Sequence, residues 1–396
     1  MRCLRVILGP SVYDRCADCD TIRRSQLHRS HTNFIVTSST TRDMQNAVAR
    51  TRTGHGKVDK ETRYPSPKAT LIARLPASWI PYAQLMRLDR PAGFNAFYFP
   101  HLIGLAYAAS IAKHTVPWTE LGRYVVLTFL WSILLRGVAC TWNDNVDQDF
   151  DRRVERCRNR PIARGAVSTT QAHAFTILLA LASVALLAAF PRSCHGDAAI
   201  MTLLFFVYPF GKRFTFYPQL ILGFPFATAI LIASHALDVD PWTAELLTPT
   251  ACLCLSMVVW TMIYDTIYAH QDLEDDIKAG VKSMAVRFQH NTKPMTSMLA
   301  SVFVALLATA GYILDLDSVY YVVTCGGTGL ALASMIALVD LGTPNSCAWW
   351  FNANFYLVGG IMFLERLGAY ATRAQWDGKC PNELSSQLYG DWSLDL

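Results

Sequence analysis

Residues 121–151 read LGRYVVLTFLWSILLRGVACTWNDNVDQDFD. The first part, 121–142, is an apolar run of about the ~20 residues that a helix needs to cross a bilayer. Asn143-Asp144-Asn145-Val146-Asp147-Gln148-Asp149-Phe150-Asp151 follows at once, with four carboxylates in nine positions. At about 100° per residue on a helix, Asp144, Asp147 and Asp151 fall within about 60° of one another and Asp149 points away. Three acids on one stripe at a membrane border repel one another unless a cation sits between them. Oxygen ligands without His or Cys select a hard ion, Mg²⁺ above all, and Mg²⁺ usually shares its shell with substrate phosphates.

The rest of the chain fits a membrane setting. Of 396 residues, 52% are hydrophobic and 16% charged, against about 25% charge in a soluble domain. Mean hydropathy is +0.23. The apolar residues gather in long runs, which excludes a disordered chain, a small disulfide scaffold and most soluble enzymes. Nine spans are expected near 92–112, 121–142, 170–190, 197–210, 217–237, 247–269, 296–314, 319–340 and 347–368, the fourth being short. The expected fold is therefore all-α and multi-pass. A membrane domain over 76–370 is flanked by a polar extension, 1–75, and a tail, 371–396.

Charge placement orients it. Residues 1–70 hold 13 Lys/Arg against 6 Asp/Glu, although the whole chain is only +5. Arg74, Arg87 and Arg90 precede the first span. Arg152, Arg153, Arg156, Arg158, Arg160 and Arg164 fill the second-to-third connection, Lys212 and Arg213 the fourth-to-fifth, and Lys278, Lys282, Arg287 and Lys293 the sixth-to-seventh. The opposite side offers Lys113, Arg123, Arg192 and a few residues after the ninth span. The positive-inside rule puts both long loops, 143–169 and 270–294, on the cytosolic or matrix side. The basic residues of the first 70 are scattered among acids rather than forming a stripe, so nucleic acid is not an expected partner.

The extension is a poor presequence because Asp14, Asp18 and Asp20 interrupt it, which favours the endomembrane system over the mitochondrial inner membrane. Eleven cysteines, several inside apolar runs, argue against a disulfide framework. Cys16-x-x-Cys19 with His28-x-x-His31 is too tightly spaced for a zinc finger.

A second acidic constellation follows the sixth span. Asp265, Tyr268, Asp272 and Asp276 stand at i, i+3, i+7 and i+11, one helix face again. Basic residues trail both motifs: Arg156, Arg158, Arg160 and Arg164 after the first, Lys212 and Arg213 after Tyr208, and Lys278 and Lys282 after the second. Two opposed Mg²⁺ clamps on one diphosphate, with Lys/Arg neutralising its charge, is the simplest chemistry. Interfacial solvation explains one such motif but not two with matching cations. A transporter remains the alternative outside enzymes, although its acids belong at mid-membrane among broken helices and internal repeats. A non-catalytic scaffold conflicts with two intact sets of aspartates. A membrane CDP-alcohol transferase has one acidic motif with interposed glycines.

At these residues the chain resembles the UbiA superfamily of intramembrane aromatic prenyltransferases. Asn143, Asp144, Asp147 and Asp151 match N-D-x-x-D-x-x-x-D, and Arg156-Cys-Arg158-Asn-Arg160-Pro161 continues it. Asp265, Tyr268, Ala269, Asp272 and Asp276 match the second motif, and Tyr208-Pro-Phe-Gly-Lys212-Arg213 resembles the Y-x-x-x-K element. Arg87-Leu-Asp89-Arg-Pro91-Ala-Gly93 is similar to the segment before the first span. The resemblance covers residues 75–370. It implies nine transmembrane helices around a central active-site cavity, and Mg²⁺-dependent transfer of an isoprenoid chain from a prenyl diphosphate to an aromatic ring.

Two branches fit: fungal enzymes that prenylate phenolic acids or polyketides in meroterpenoid pathways, and the 4-hydroxybenzoate polyprenyltransferase of ubiquinone synthesis. Asn145-Val146 in place of Met-Trp, and LILGFPFATAI after Pro218-Gln219, favour the first; both departures are expected near the cavity mouth. Farnesyl diphosphate is then the expected donor. On this resemblance Asp144, Asp147 and Asp151 hold one Mg²⁺, and Asp272 with Asp276, helped by Asp265, the other. Asn143, Arg156, Arg160, Tyr208, Lys212, Arg213, Tyr268 and Lys278 are expected at the diphosphate, and Arg87 and Asn95 at the acceptor. Phe94, Phe97, Trp131, Phe206, Phe224 and Trp260 are the aromatics considered for the prenyl tunnel, where any single one is more often plain packing.

Overall fold

A computed structural model of the chain describes residues 71–379, and the regular elements among them are all helical. The Cys16/Cys19/His28/His31 cluster lies outside the described residues. The long helices are α1 (Phe94–Ile111), α2 (Trp118–Val146), α3 (Thr169–Leu187), α4 (Cys194–Phe214) and α5 (Pro218–Ala236). They continue with α6 (Ala244–Ala269), α7 (Thr292–Ile313), α8 (Tyr320–Leu338) and α9 (Pro344–Trp376). Among the described residues, eight helices, α2 to α9 with their short continuations, are long and apolar enough to cross a membrane.

Helix α1 accounts for the difference from the nine expected spans. It has 18 residues and no ionised side chain, but Asn95, Pro100 and His101 interrupt its apolar run. Thirteen of its residues are buried, so it faces protein rather than lipid. The fourth span, expected to be short, is a 21-residue helix. It continues through Lys212 and Arg213, whose charge suits the negative end of the helix dipole.

Local signals explain several boundaries. Ser168 caps α3 reciprocally with Gln171, which satisfies two otherwise unpaired amides. Pro218 and Pro344 stand at the starts of α5 and α9, where a missing N–H costs nothing. Helix α5 packs against α4, α6 and α1, and α9 returns to α1. A Cβ on Gly223 would come 2.7 Å from Val258 Cα, so only glycine lets α5 and α6 approach this closely.

Both acidic stripes are interrupted rather than continuous. Helix α2 ends at Val146, Asp147 turns the chain at φ −93°, ψ 7°, and Gln148–Asp151 forms a separate short helix. Helix α6 ends at Ala269, His270–Asp272 forms a tighter turn, and Leu273–Ala279 resumes. Gly280, at φ 76°, closes that piece in the left-handed region that glycine adopts freely. A single helix would have carried the last acids straight away from the span, whereas the breaks fold them back beside it.

Candidate active site

The ends of α2, α4 and α6 and the starts of α1 and α5 enclose a cleft of about 500 Å³. Its outer part is lined by Asn143, Asp147, Asp151, Asp265, Asp272 and Asp276, together with Arg87, Arg156, Arg160, Lys212, Tyr208 and Tyr268. Thus the two acidic motifs, more than a hundred residues apart in sequence, share one wall. Its inner part is apolar, with Phe97, Leu222 and Phe226 among its lining residues.

Four of the six carboxylates of the two motifs are closed by a cation. Arg87 Nη2 donates to Asp144 at 2.6 Å. Arg160 Nη1 donates to Asp144 at 3.1 Å and to Asp151 at 2.8 Å. Lys212 Nζ donates to Asp147 at 2.6 Å and lies over the Tyr208 ring. Arg156 embraces Asp272 with Nε at 2.8 Å and Nη2 at 2.5 Å, and donates to the Tyr268 hydroxyl at 3.2 Å. This last pair ties the loop after the first motif to the second motif. Asp144 and Asp147 are each 1% exposed, and buried carboxylates survive only with such partners.

Electrostatics follow from burial. Burial pushes the Asp151 carboxyl up to about 6, with Arg160 opposing and Asp144 reinforcing the shift. Burial works against the charge on Arg160 and Arg156, but Cys157, Asp151 and Asp144 around the first, and Tyr268 and Asp272 around the second, outweigh it and hold both guanidinium groups above their usual range. Asp149, outside the cleft, is lowered by its hydrogen bond from Arg213.

The donor chemistry fits a hard cation. Asp144 Oδ2 and Asp147 Oδ1 are buried without a hydrogen-bond partner, which is the state of an oxygen that a metal completes. Among the described residues no group of three His, Cys, Asp or Glu side chains converges as a ready cage. The Arg and Lys partners stand among the carboxylates instead.

Four expected site residues are absent from the cleft lining, the first being Asp144, which is fully buried behind Arg87 and Arg160. Arg213 leaves the cleft to bind Asp149 at 2.9 Å. Lys278 is exposed, 3.9 Å from Glu274 and Asp275. Asn95 Nδ2 donates to Asn352 and Tyr356, away from the cleft lining. Arg87 is present but already engaged by Asp144, so it is not a free acceptor ligand. Phe97 lines the cleft, whereas Phe206 stacks on Trp142 and Phe224 is exposed; Phe205 and Phe226 line it instead. Asn145 bonds His173 on α3 at 3.3 Å and does not reach the cleft. Of the two unusual stretches, only the second contributes lining residues, Leu222 and Phe226.

Two residues were missed. Arg136, buried in α2, faces the cleft and donates to the carbonyls of Arg87 at 3.1 Å and Arg90 at 2.6 Å. It makes no salt bridge among the described residues. The Arg87 carbonyl needs this anchor because Arg87 has φ 58°, a conformation costing a non-glycine residue about 1–3 kcal/mol. A lone Arg seven positions before Asn143, inside an apolar run, was the available signal. Gln219 accepts from the Met284 amide at 3.1 Å and hydrogen-bonds Asp265. Nothing in its sequence surroundings marks it.

Comparison with known proteins agrees with this architecture. The profile of the UbiA prenyltransferase family matches residues 97–360. The prenyltransferase ascA of Acremonium egyptiacum is 42% identical over 281 residues, covering 71% of this chain and 83% of that protein. The DMOA farnesyltransferase nvfB of Aspergillus novofumigatus is 37% identical over 260 residues, 66% of this chain and 81% of that one. A UbiA homologue from Archaeoglobus fulgidus, solved with DMAPP and Mg²⁺, superposes with a TM-score of 0.55 over 73% of this chain and 99% of that one. At 17% identity the last match shows the fold. The chain, a multi-pass membrane protein, belongs to the UbiA prenyltransferase family.

Proposed function

We propose that the protein transfers a farnesyl group from farnesyl diphosphate to a phenolic aromatic acid or polyketide, with Mg²⁺, in meroterpenoid biosynthesis. The observation that carries this reading is the single cleft in which both acidic motifs, six basic side chains and an apolar interior meet. A relative named a farnesyltransferase supports the donor. Helix α1 is read as the ninth span, and the cleft as the central active-site cavity, opening to the cytosolic side of an endomembrane.

On this reading Asp144, Asp147 and Asp151 hold one Mg²⁺, and Asp272 and Asp276, with Asp265, a second. Bound there, Mg²⁺ supplies charge that stabilises the departing diphosphate. When a diphosphate and metal enter, the Arg and Lys partners exchange carboxylate for phosphate oxygens. Arg156 and Arg160 offer paired N–H groups for this and Lys212 a point charge. Tyr208 and Tyr268, with Asn143, donate hydrogen bonds at the rim. The buried apolar interior keeps water from the allylic cation. Arg136, which makes no salt bridge among the described residues, holds the acceptor's carboxylate. The acceptor's electron-rich carbon then attacks, and the ring proton leaves to restore aromaticity.

The test uses microsomes containing the chain, Mg²⁺, an orsellinate-type acid and farnesyl diphosphate, with product read by mass. A farnesylated phenol is expected that disappears with EDTA and in Asp144→Ala and Asp272→Ala. Turnover of 4-hydroxybenzoate with a long polyprenyl diphosphate, and none with the orsellinate-type acid, would move the assignment to ubiquinone synthesis.

A further inference from the structure

Helix α9 lends two residues to the cleft, Ala348 and Phe351, and what aims them lies just beyond. From Phe355 to Gly359 the backbone widens into a π-helical turn. The buried stripe of α9 shows why. It runs through Cys347, Phe351, Phe355, Met362, Arg366 and Tyr370, six turns in 23 residues. Six regular turns take about 21.6 residues, so a plain α-helix would swing one end of the stripe away from the bundle. The wider turn takes up the excess. Single π-turns inside α-helices gather at functional sites.

Both ends of this turn are held. Asn354 stands immediately before it and is 1% exposed. Its Nδ2 donates to the Phe351 carbonyl at 2.5 Å, and its Oδ1 accepts from Trp260 Nε1 on α6 at 2.9 Å. Gly359 ends the turn, where a Cβ would come 2.6 Å from Phe99 Cδ1 and 3.0 Å from Trp260 Cη2. Within a membrane a buried amide must find its partners in the protein. Asn354 finds one on each helix, which fixes the register of α9 against α6.

That register reaches the acidic end of the cleft. The Phe351 ring lies 4.3 Å from the Tyr268 ring. Tyr268 in turn accepts from Arg156 Nη1 at 3.2 Å, and the Arg156 guanidinium stands 5.3 Å from the centre of its ring.

We propose that Asn354 is a positioning residue for the diphosphate end of the cleft. Through the π-turn it sets Phe351 against Tyr268, and so holds the Tyr268 hydroxyl and Arg156 where they meet the donor. This rests on the prenyl-donor reading above and goes beyond it by assigning a role to a residue outside the cleft. Without the amide the turn relaxes towards regular helix. Losing one residue from the turn rotates Ala348 and Phe351 by about 100°, which takes Phe351 off Tyr268.

The experiment titrates the detergent-solubilised full chain with inorganic diphosphate, and separately with a non-reactive farnesyl thiodiphosphate, each with Mg²⁺, and reads binding as thermal stabilisation. Asn354→Leu should weaken binding of both roughly tenfold, the lower end of losing one charge-assisted contact. Trp260→Phe leaves the Phe351 carbonyl capped, so its binding should stay within about threefold although its melting temperature falls. The double variant strands neither partner of the α6–α9 hydrogen bond. It should melt above Asn354→Leu yet bind as weakly. In a Tyr268→Leu background, Asn354→Leu should add less than about twofold. A double variant that regains affinity together with stability, or a full tenfold loss added on top of Tyr268→Leu, would make Asn354 a packing residue and overturn the assignment. A wild-type chain stabilised by neither probe would instead overturn the prenyl-donor reading.

Discussion

Arg136 is a cation inside a membrane span, and its guanidinium has two faces with different surroundings. Two nitrogens hold the carbonyls of Arg87 and Arg90, which fixes the strained turn that aims Arg87 at Asp144. Its remaining face looks into the cleft. Losing a charge-assisted contact to an acceptor carboxylate costs about 1.5–3 kcal/mol, roughly 10- to 100-fold in rate. Arg136→Leu is therefore expected to lower kcat/KM for a carboxylated phenol by about that factor. The fall for the same phenol without its carboxylate should be clearly smaller. Equal losses on both would reduce Arg136 to a structural anchor. Gln219 works through another residue. It bridges the Met284 amide and Asp265, so Gln219→Leu strands a buried amide and a buried carboxylate at about 1–3 kcal/mol each. The expected signature is a raised KM for the prenyl diphosphate with the acceptor KM unchanged; the reverse split would disconnect Gln219 from the donor site.

At the scale of elements, the short helix Gln148–Asp151 carries a titration with a definite sign. Asp151 has its carboxyl raised to about 6 by burial, against 3.8 when unperturbed. Below about pH 4 the group is neutral both folded and unfolded. Between about 4 and 6 the folded chain holds a proton that the unfolded chain has lost, so stability falls as pH rises through that window. Above about 6 both states are ionised and the penalty is constant. Metal-free protein in EDTA should thus melt at a lower temperature at pH 7 than at pH 5. Saturating Mg²⁺ should offset this most at the higher pH, where no proton competes for the site. A melting temperature independent of Mg²⁺ at pH 7 would count against Asp151 as a ligand.

The same short elements mark where the sequence was legible. Apolar run length gave the positions of α2 to α9 because membrane thickness dictates it. Spacing put Asp144, Asp147 and Asp151 on one stripe; Asp147 and Asp151 line the cleft, Arg160 joins Asp151 to the buried Asp144, and Asp149 turns outward to Arg213. What spacing could not give is the break at Asp147 or the turn at His270–Asp272, since both depend on how the loops fold back. Nor could it choose among neighbouring aromatics. Phe205 and Phe206 differ by 100° around α4, and only the packing of α1 and α5 against α4 decides which ring enters the cleft.

At the scale of the whole molecule, the arrangement rests on an even number of crossings between the two acidic segments. Helices α3, α4, α5 and α6 separate Asp151 from Asp272, so the chain returns to the same face of the membrane before the second motif. The Arg156–Asp272 pair requires this. The connection between α1 and α2, which carries Lys113, then belongs to the opposite face. Arg158 and Lys113 are both exposed, which makes them suitable reporters. In sealed microsomes, Arg158→Cys should react with a membrane-impermeant maleimide above the level of the parent chain, and Lys113→Cys only after the vesicles are opened. Because α1 falls outside the helices long and apolar enough to cross, Trp79→Cys, at an exposed position before it, tests whether it crosses: labelling there only after the vesicles are opened would put that position on the Lys113 side, and the proposed ninth crossing would be lost. Labelling of both Arg158→Cys and Lys113→Cys in sealed vesicles would mean that α2 does not span. Labelling of Lys113→Cys alone would invert the protein, placing the diphosphate cleft away from the cytosol and from a soluble supply of donor.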